Sequence, residues 1–359
     1  MNGDIWRMRD VNRRDFLALA GRLTAAGLAS LVVGRGLAAE AQAPAELVIG
    51  PTTVTLVDGT TVPAWSFAPS SPRQVPGPVL WATAGETVTL TVVNTLDRVR
   101  NFAIPGVVDS GPIPTGQRRV VQFTAPAAGT YAYMDTQEGV VGRVMGLHGA
   151  FIVMPAAGDT PYSEPTRATA TLFADLGDPA QLGGHPWDPS RQWIWLFAQI
   201  DTKLAQRVAG GERLTDAAFR AAFRPRYFTI NGLSGFYAAM AEDVEIRGRI
   251  GEPALVRTMN VGPATHAPHI HGNHVYVVAT DGRPCENVLK RDTWGLPELG
   301  RVDVLLPYEV PGDAHPWPPS DPFHFPMMMP MHCHCEMSQT AGGGSYPHGA
   351  VAHWSIEGL

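Results

Sequence analysis

Two short segments near the carboxyl end of this 359-residue chain concentrate the side chains that could bind a transition metal. The second segment, Met331–Cys335, reads Met-His-Cys-His-Cys. The first segment contributes four imidazoles: His266, His269, His271 and His274. Imidazole and thiolate together suit copper or zinc, and they do not suit calcium or magnesium. This grouping therefore predicts a copper or zinc site in the last third of the chain.

The spacing within each segment predicts two different faces of a strand. His269 and His271 are separated by one residue, and so are His332 and His334. Alternate side chains of a strand share a face, so each pair would present two imidazoles together and Cys333 would point the other way. One strand could then reach an imidazole site on one face and a thiolate site on the other. Two alternatives remain open: a structural zinc site, although paired Cys-x-x-Cys motifs are missing, and histidines that crowd together without metal.

The segments that must position these residues have the pattern of short β-strands. Glu86–Asn94 alternates polar and apolar residues, as a half-buried strand does. The 38 glycines and 32 prolines suit many strands joined by turns, and a hydrophobic share of 45% indicates a globular chain. We predict an all-β fold of two tandem β-sandwiches, residues 44–156 and 227–359, joined by a partly helical connection over residues 157–226.

The first 43 residues have the features of an export signal. Arg13-Arg14-Asp15-Phe16-Leu17 is a twin-arginine sequence, and the apolar run that follows is too short and too interrupted for a membrane span. We therefore expect residues 1–43 to be a twin-arginine signal peptide and the protein to be periplasmic. The formal net charge of −6 gives a nucleic-acid partner no electrostatic support.

The metal-binding segments carry a family resemblance. His266-x-x-His269-x-His271-Gly272, followed by His332-Cys333-His334, resembles the C-terminal copper signature of the multicopper oxidases. Pro76–Gly85 and Gly146–Val153 resemble parts of the first domain of that family, and Phe228–Gly232 resembles the strand that opens its last domain. The resemblance implies two cupredoxin-like Greek-key sandwiches. With only two such domains, the chain resembles the two-domain members of the family, which assemble as homotrimers with copper between neighbouring subunits.

The resemblance also implies a role for each ligand. His266 and Cys333 would bind a type 1 copper, and His269 would face a type 2 copper. A type 3 pair would take His271, His332 and His334. Such a protein takes electrons from a small-molecule or metal-ion reductant and passes them to dioxygen. The sequence does not identify catalytic residues beyond the copper ligands.

The chain departs from the family at the remaining ligand positions. Where the first domain of the family has two His-x-His pairs, this chain has Asn101-Phe102-Ala103 and Met134-Asp135-Thr136. We therefore expect no metal ligands in the first sandwich and no complete three-copper cluster. Ser338 stands where the family has the second type 1 histidine, and Met337, Glu336 and His348 are the candidates to replace it.

These observations predict a periplasmic copper-dependent oxidoreductase with a reduced or altered set of coppers. The main alternative is a copper-binding or copper-handling protein without turnover. A copper nitrite reductase would need a blue site in the first domain, which the sequence lacks, and a metal-free scaffold would leave the histidine pairs unexplained. A disulfide between Cys285 and Cys335 is a further hypothesis that the sequence leaves open.

Overall fold

The computed structural model describes residues 46–69, 74–178, 180–181, 184–312 and 322–359. The twin-arginine signal peptide expected at residues 1–43 lies outside these described residues. Among the helices that the structure describes, none is long and apolar enough to cross a membrane.

The first β-sandwich is built from nine strands in two sheets. One sheet has the order β2-β1-β4-β7 and the other the order β3-β9-β8-β5-β6. The strands are β1 Glu46–Thr55, β2 Thr61–Ala68, β3 Leu80–Thr83, β4 Thr87–Asn94, β5 Ala103–Ile104, β6 Val108–Asp109, β7 Arg118–Thr124, β8 Gly129–Met134 and β9 His148–Met154. Strand β4 buries every second side chain, as its alternating sequence predicts. Because apolar side chains of both sheets point inward, they form one core between the sheets.

The second β-sandwich carries the predicted metal ligands. Its strands are β10 Gln192–Ile200, β11 Tyr227–Ile230, β12 Ile246–Gly248, β13 Ala254–Asn260, β14 Pro268–Ile270, β15 Val275–Thr280, β16 Arg283–Arg291, β17 Arg301–Leu306, β18 Met327–Cys333 and β19 Val351–Ile356. Six of them form a sheet in the order β11-β10-β13-β17-β15-β16, and the other four form a sheet in the order β12-β19-β18-β14. The prediction of an all-β protein is confirmed.

Short helices connect the strands. They are α1 Val140–Val144, α2 Arg167–Leu176, α3 Thr202–Ala209, α4 Asp216–Ala222, α5 Gly235–Ala239 and a 3₁₀ helix, Glu336–Gln339. The side chains of Thr166, Asp201 and Thr215 accept hydrogen bonds from backbone N–H groups in the first turns of α2, α3 and α4. Such caps satisfy amides that have no partner inside the helix, which explains where these three helices begin.

The segment between the two sandwiches contains more strand than the sequence indicates. Strand β10 lies within residues 157–226, yet it pairs with β11 and runs parallel to β13 inside the six-stranded sheet. Its sequence, QWIWLFAQI, lacks the polar–apolar alternation of a half-buried strand because much of it is buried. The second sandwich therefore includes residues that precede Tyr227.

Candidate metal centre

Pairing of two strands brings the histidines of both segments together. Strand β14 runs antiparallel to β18, with His269 directly opposite His332. Directly opposite residues of an antiparallel pair project from the same face of the sheet. Segments more than sixty residues apart in the sequence therefore meet on one surface.

Four imidazoles form a compact group, which we call the imidazole cluster: His269, His271, His332 and His334. Neighbouring ring centroids in the cluster are 4.6 to 5.7 Å apart. Nε2 of His271 lies 3.1 Å from Nε2 of His332. A ring nitrogen of His269 lies within 4.8 Å of a ring nitrogen of each of these two histidines. Two nitrogens bound to one tetrahedral ion are about 3.3 Å apart, so the donors fit a single transition-metal ion.

The surroundings keep these imidazoles able to bind metal. Burial lowers the pKa of His269, His271 and His332, so at neutral pH the rings are uncharged and carry a free lone pair. Nδ1 of His269 lies 2.8 Å from the hydroxyl of Thr293. That contact engages Nδ1 and leaves Nε2 for the cluster, which is the usual way in which a second partner orients a metal-binding histidine.

Cys333 lies on the opposite face of β18, as its position between two histidines predicts. Its side chain is fully buried, and its Sγ lies 3.3 Å from Nδ1 of His266. The backbone N–H of Ala267 also donates to this sulfur, at 3.3 Å. A nitrogen and a sulfur bound to one tetrahedral ion are about 3.5 Å apart, so this pair fits a second metal position.

His266 is held in a closed environment. Burial lowers its pKa to about 4, so the ring is neutral. Its Nε2 lies 2.6 Å from the side-chain amide of Gln199, and the ring of Phe197 packs against it with centroids 4.9 Å apart. Gln199 belongs to β10, far from any histidine motif, so the sequence offered no signal for this contact. Thr293 was missed for the same reason.

The lower-ranked ligand candidates lie elsewhere. Met337 is 62% exposed on the 3₁₀ helix, and Nδ1 of His348 is 2.8 Å from the hydroxyl of Ser345 in its own loop. No hydrogen bond within the described residues joins either side chain to Cys333. The three cysteines are all unbonded to one another, so the hypothesis of a Cys285–Cys335 disulfide is not supported by this structure. Cys285 instead contacts the hydroxyl of Thr280.

Hydrogen bonds and an ion pair engage the two segments in which the family has its first-domain histidine pairs. The side-chain amide of Asn101 donates to Asp109 and to the hydroxyl of Thr136, at 2.8 Å each. Asp135 accepts from the backbone N–H of Asn101 at 2.9 Å and pairs with Arg100 at 3.3 Å, and both charged side chains are fully buried. Because these groups satisfy one another, this region offers no free donor set for a metal ion.

Comparison with known proteins agrees with this architecture. Residues 49–158 match the family model described as multicopper oxidase. The blue copper oxidase from Nitrosomonas europaea has a similar structure, with a TM-score of 0.67, 20% identity, and coverage of 87% of this chain and 85% of that one. The copper nitrite reductase from the same organism gives a TM-score of 0.60 at 18% identity, covering 87% of this chain and 92% of that chain.

A multicopper oxidase designated mgLAC is similar at a TM-score of 0.65 and 21% identity, over 87% of this chain and 85% of the other. No curated protein sequence matches the chain. At these identities the structural likeness shows the fold, and the prediction of cupredoxin-type domains is confirmed. The donor distances described above fit a copper ion.

Proposed function

We propose that this protein is a copper-dependent oxidoreductase of the multicopper oxidase family that works with a reduced set of copper sites. One observation carries the proposal. Strand β18 places the imidazole cluster on one face and the His266–Cys333 pair on the other. Strand β18 contributes His332 to one donor set and Cys333 to the other, and this direct connection suits a protein that moves electrons between two metal sites.

Each donor set would hold copper through named atoms. His269, His271 and His332 would bind it through their ring nitrogens, with His334 beside them. His266 would bind through Nδ1, together with Sγ of Cys333. Copper held by such ligands supplies one-electron redox chemistry, changing between Cu(II) and Cu(I). Cys333 is covalently joined to both His332 and His334, so only a few bonds separate the two donor sets.

The two donor sets differ in access. His271 and His334 are exposed, so a small molecule such as dioxygen can reach the imidazole cluster from solvent. Cys333 and His266 are fully buried, and the rings of Phe197 and Phe228 pack against His266 and exclude water. We accordingly propose a small-molecule or metal-ion reductant as the electron source, and dioxygen as the acceptor at the exposed cluster.

The reduced copper set follows from the first sandwich. Asn101 and Thr136 stand where the family has histidines, and the side-chain amide of Asn101 donates to the hydroxyl of Thr136. The four imidazoles of the cluster are thus half of the usual set of eight. We also propose a homotrimer, in which the first sandwich of one chain covers the open imidazole cluster of the next; this part rests on the family resemblance. The proposed periplasmic location rests on the twin-arginine sequence.

Copper analysis and turnover test the proposal together. The copper-loaded protein should oxidise a phenol or a reduced metal ion faster than an equal concentration of free copper, with consumption of dioxygen. Replacing His269 by alanine should lower both copper content and turnover by at least about tenfold, because one of three facing ligands is lost. His185→Ala, at an exposed histidine far along the sequence, is the matched control and should leave both unchanged. Equal turnover in His269→Ala and the parent protein would remove the proposed centre.

A copper-binding protein without turnover is the second candidate. The closed network at Asn101 and Asp135 favours it, because the first sandwich supplies nothing to complete a cluster that reduces dioxygen. This candidate predicts stoichiometric copper uptake that depends on His269, without catalytic consumption of dioxygen. An oxygen electrode therefore separates the two candidates.

A further inference from the structure

The buried site of His266 and Cys333 lacks a second imidazole, and the structure narrows what takes its place. Ser338 occupies the position in question, but its hydroxyl donates to the carbonyl oxygen of Cys335 at 2.6 Å. Its backbone N–H donates to the same oxygen at 2.8 Å. Ser338 therefore tightens the turn after β18, and its oxygen is not directed to a metal ion.

The three candidates from the sequence are poorly placed for this role. Glu336 and Met337 are exposed, on the solvent side of the 3₁₀ helix. His348 hydrogen-bonds Ser345 of its own glycine-rich loop. A ligand for a buried sulfur and a buried imidazole must itself face inward, and none of these side chains is shown to do so.

Cys335 does face inward. Cys335 is the N-cap residue of the 3₁₀ helix and comes two residues after Cys333, the last residue of β18. His334, which lies between the two cysteines, is exposed. Cys335 is half-buried and packs against the same apolar cluster that contains Cys333. The thiol of Cys335 also interacts with the thiol of Cys333. The two sulfurs are thus neighbours at the end of one strand.

We propose that Cys335 supplies a second thiolate to the site of His266 and Cys333, so that copper is held there by one imidazole and two sulfurs. This inference rests on the proposed function, because it concerns the same buried site. Each thiol loses its proton when its sulfur binds, so occupation of the site by Cu(I) releases two protons and leaves the site with one net negative charge. Two soft thiolates favour Cu(I) over Cu(II) more strongly than one thiolate and two imidazoles do.

Cadmium is a suitable probe for the number of sulfur ligands. Cd(II) bound to thiolates absorbs in the ultraviolet, whereas Cd(II) bound to imidazoles alone does not, so the imidazole cluster is silent in this measurement. Titration of the full chain with Cd(II) should give a band that falls by about half in Cys335→Ser, because one of two sulfurs is lost. Cys285→Ser is the matched control, since Cys285 lies in the other sheet, and it should leave the band unchanged. An unchanged band in Cys335→Ser would overturn the proposal.

Alkylation tests the same point on the unmodified protein. Cys335 is partly accessible, so iodoacetamide should label it in the metal-free protein. Anaerobic addition of one equivalent of Cu(I) should slow this labelling about tenfold or more, while labelling of Cys285 stays constant. Equal labelling of Cys335 with and without Cu(I) would contradict the proposal.

The proposed function can fail independently. A Cys333→Ser/Cys335→Ser double variant keeps the whole imidazole cluster, and its copper content and His269 dependence report on that cluster alone. If the parent chain showed no sulfur-to-cadmium band, the thiolate site would be refuted, while imidazole-bound copper in the double variant would still support the oxidoreductase.

Discussion

Single side chains outside the metal-binding motifs decide how the imidazoles point. Thr293 holds Nδ1 of His269 at 2.8 Å, with the carboxylate of Asp292 further away at 3.7 Å. On the other face of β18, Gln199 contacts Nε2 of His266. The hydroxyl of Thr293 can accept from an N–H at Nδ1 of His269, and in that tautomer Nε2 keeps a free lone pair for a metal ion.

Replacing Thr293 by valine should weaken copper binding at the imidazole cluster. Valine has nearly the same shape but no hydroxyl, so His269 loses the partner that orients it. Loss of such a partner typically costs about 10- to 100-fold in metal affinity, and we expect that range in a competition titration with a chelator of known affinity. Thr293→Ser keeps the hydroxyl and should bind as the parent protein does. An affinity of Thr293→Val equal to that of the parent would show that Asp292 suffices to orient the ring.

At the scale of elements, the position of the cluster depends on the edge strand β14 and the turn that follows it. His271 comes directly after β14, and its backbone N–H donates to the carbonyl of Pro330 at 3.1 Å. Its own carbonyl accepts from the indole N–H of Trp354 at 2.9 Å. The chain then turns at Gly272, whose φ of +80° lies in the left-handed region. Two hydrogen bonds and the turn at Gly272 therefore hold His271 beside His332.

Gly272→Ala should disturb both stability and copper binding. An alanine at positive φ costs about 1 kcal/mol, and its Cβ would also lie 3.1 Å from Cγ of Met329, closer than ordinary packing. Gly59→Ala is the matched control, because Gly59 has a similar φ of +84° and open space around its Cβ. We expect both variants to lose stability in urea unfolding, and only Gly272→Ala to lose copper affinity. Parent-like copper affinity in Gly272→Ala would show that the turn tolerates the shift.

The sequence predicts those features that depend on local periodicity. Successive residues of β4 and of Met331–Cys335 point to opposite faces of a strand. The strands, and the opposite directions of His332 and Cys333, could therefore be predicted from the sequence alone. Features that depend on contacts between residues far apart in the sequence could not be predicted in this way. Strand β10 is buried and does not alternate, and Gln199 and Thr293 meet the histidines only through pairing of strands far apart in the chain.

At the scale of the whole molecule, a buried polar network joins the two sandwiches. Asp303 of β17 accepts from Thr130 of β8 at 2.6 Å and from Tyr162 at 3.0 Å, and it pairs with Arg257 of β13 at 3.1 Å. Arg257 also donates to the hydroxyl of Thr130. Because each charged group is buried and has its partner, the network fixes the sandwiches relative to each other.

Asp303→Asn should be strongly destabilising. The change leaves the guanidinium of Arg257 buried without a counter-charge, and breaking a buried pair in this way costs about 3–5 kcal/mol. Asp281→Asn is the control on the same sheet, because Asp281 is exposed and its pair with Arg301 is long, at 3.9 Å. Surface pairs contribute at most about 1 kcal/mol. Denaturant unfolding that gave equal losses for the two variants would contradict a role of this network in stability.

His148 makes the stability of the molecule depend on pH. It lines a cavity together with residues of both sandwiches, Ala64 and Gln199 among them. Its Nδ1 is 2.7 Å from the carbonyl oxygen of Arg143, to which the neutral ring can donate. Burial lowers its pKa from 6.5 to about 4. Between these values the unfolded chain binds a proton that the folded chain does not, so stability falls as the pH drops from about 6.5 to about 4.

The share of His148 in this loss should be up to about 3 kcal/mol, since each pKa unit corresponds to about 1.4 kcal/mol. His148→Asn keeps a side-chain donor for the carbonyl of Arg143 and removes the titrating ring. In chelator-treated proteins, we expect the free energy of unfolding of His148→Asn to decline less than that of the parent between pH 7 and pH 4. Other groups that titrate in this range, His266 among them, contribute equally to both proteins and cancel in the comparison. Parallel pH profiles would show that His148 becomes protonated in the folded protein at little cost, which its complete burial argues against.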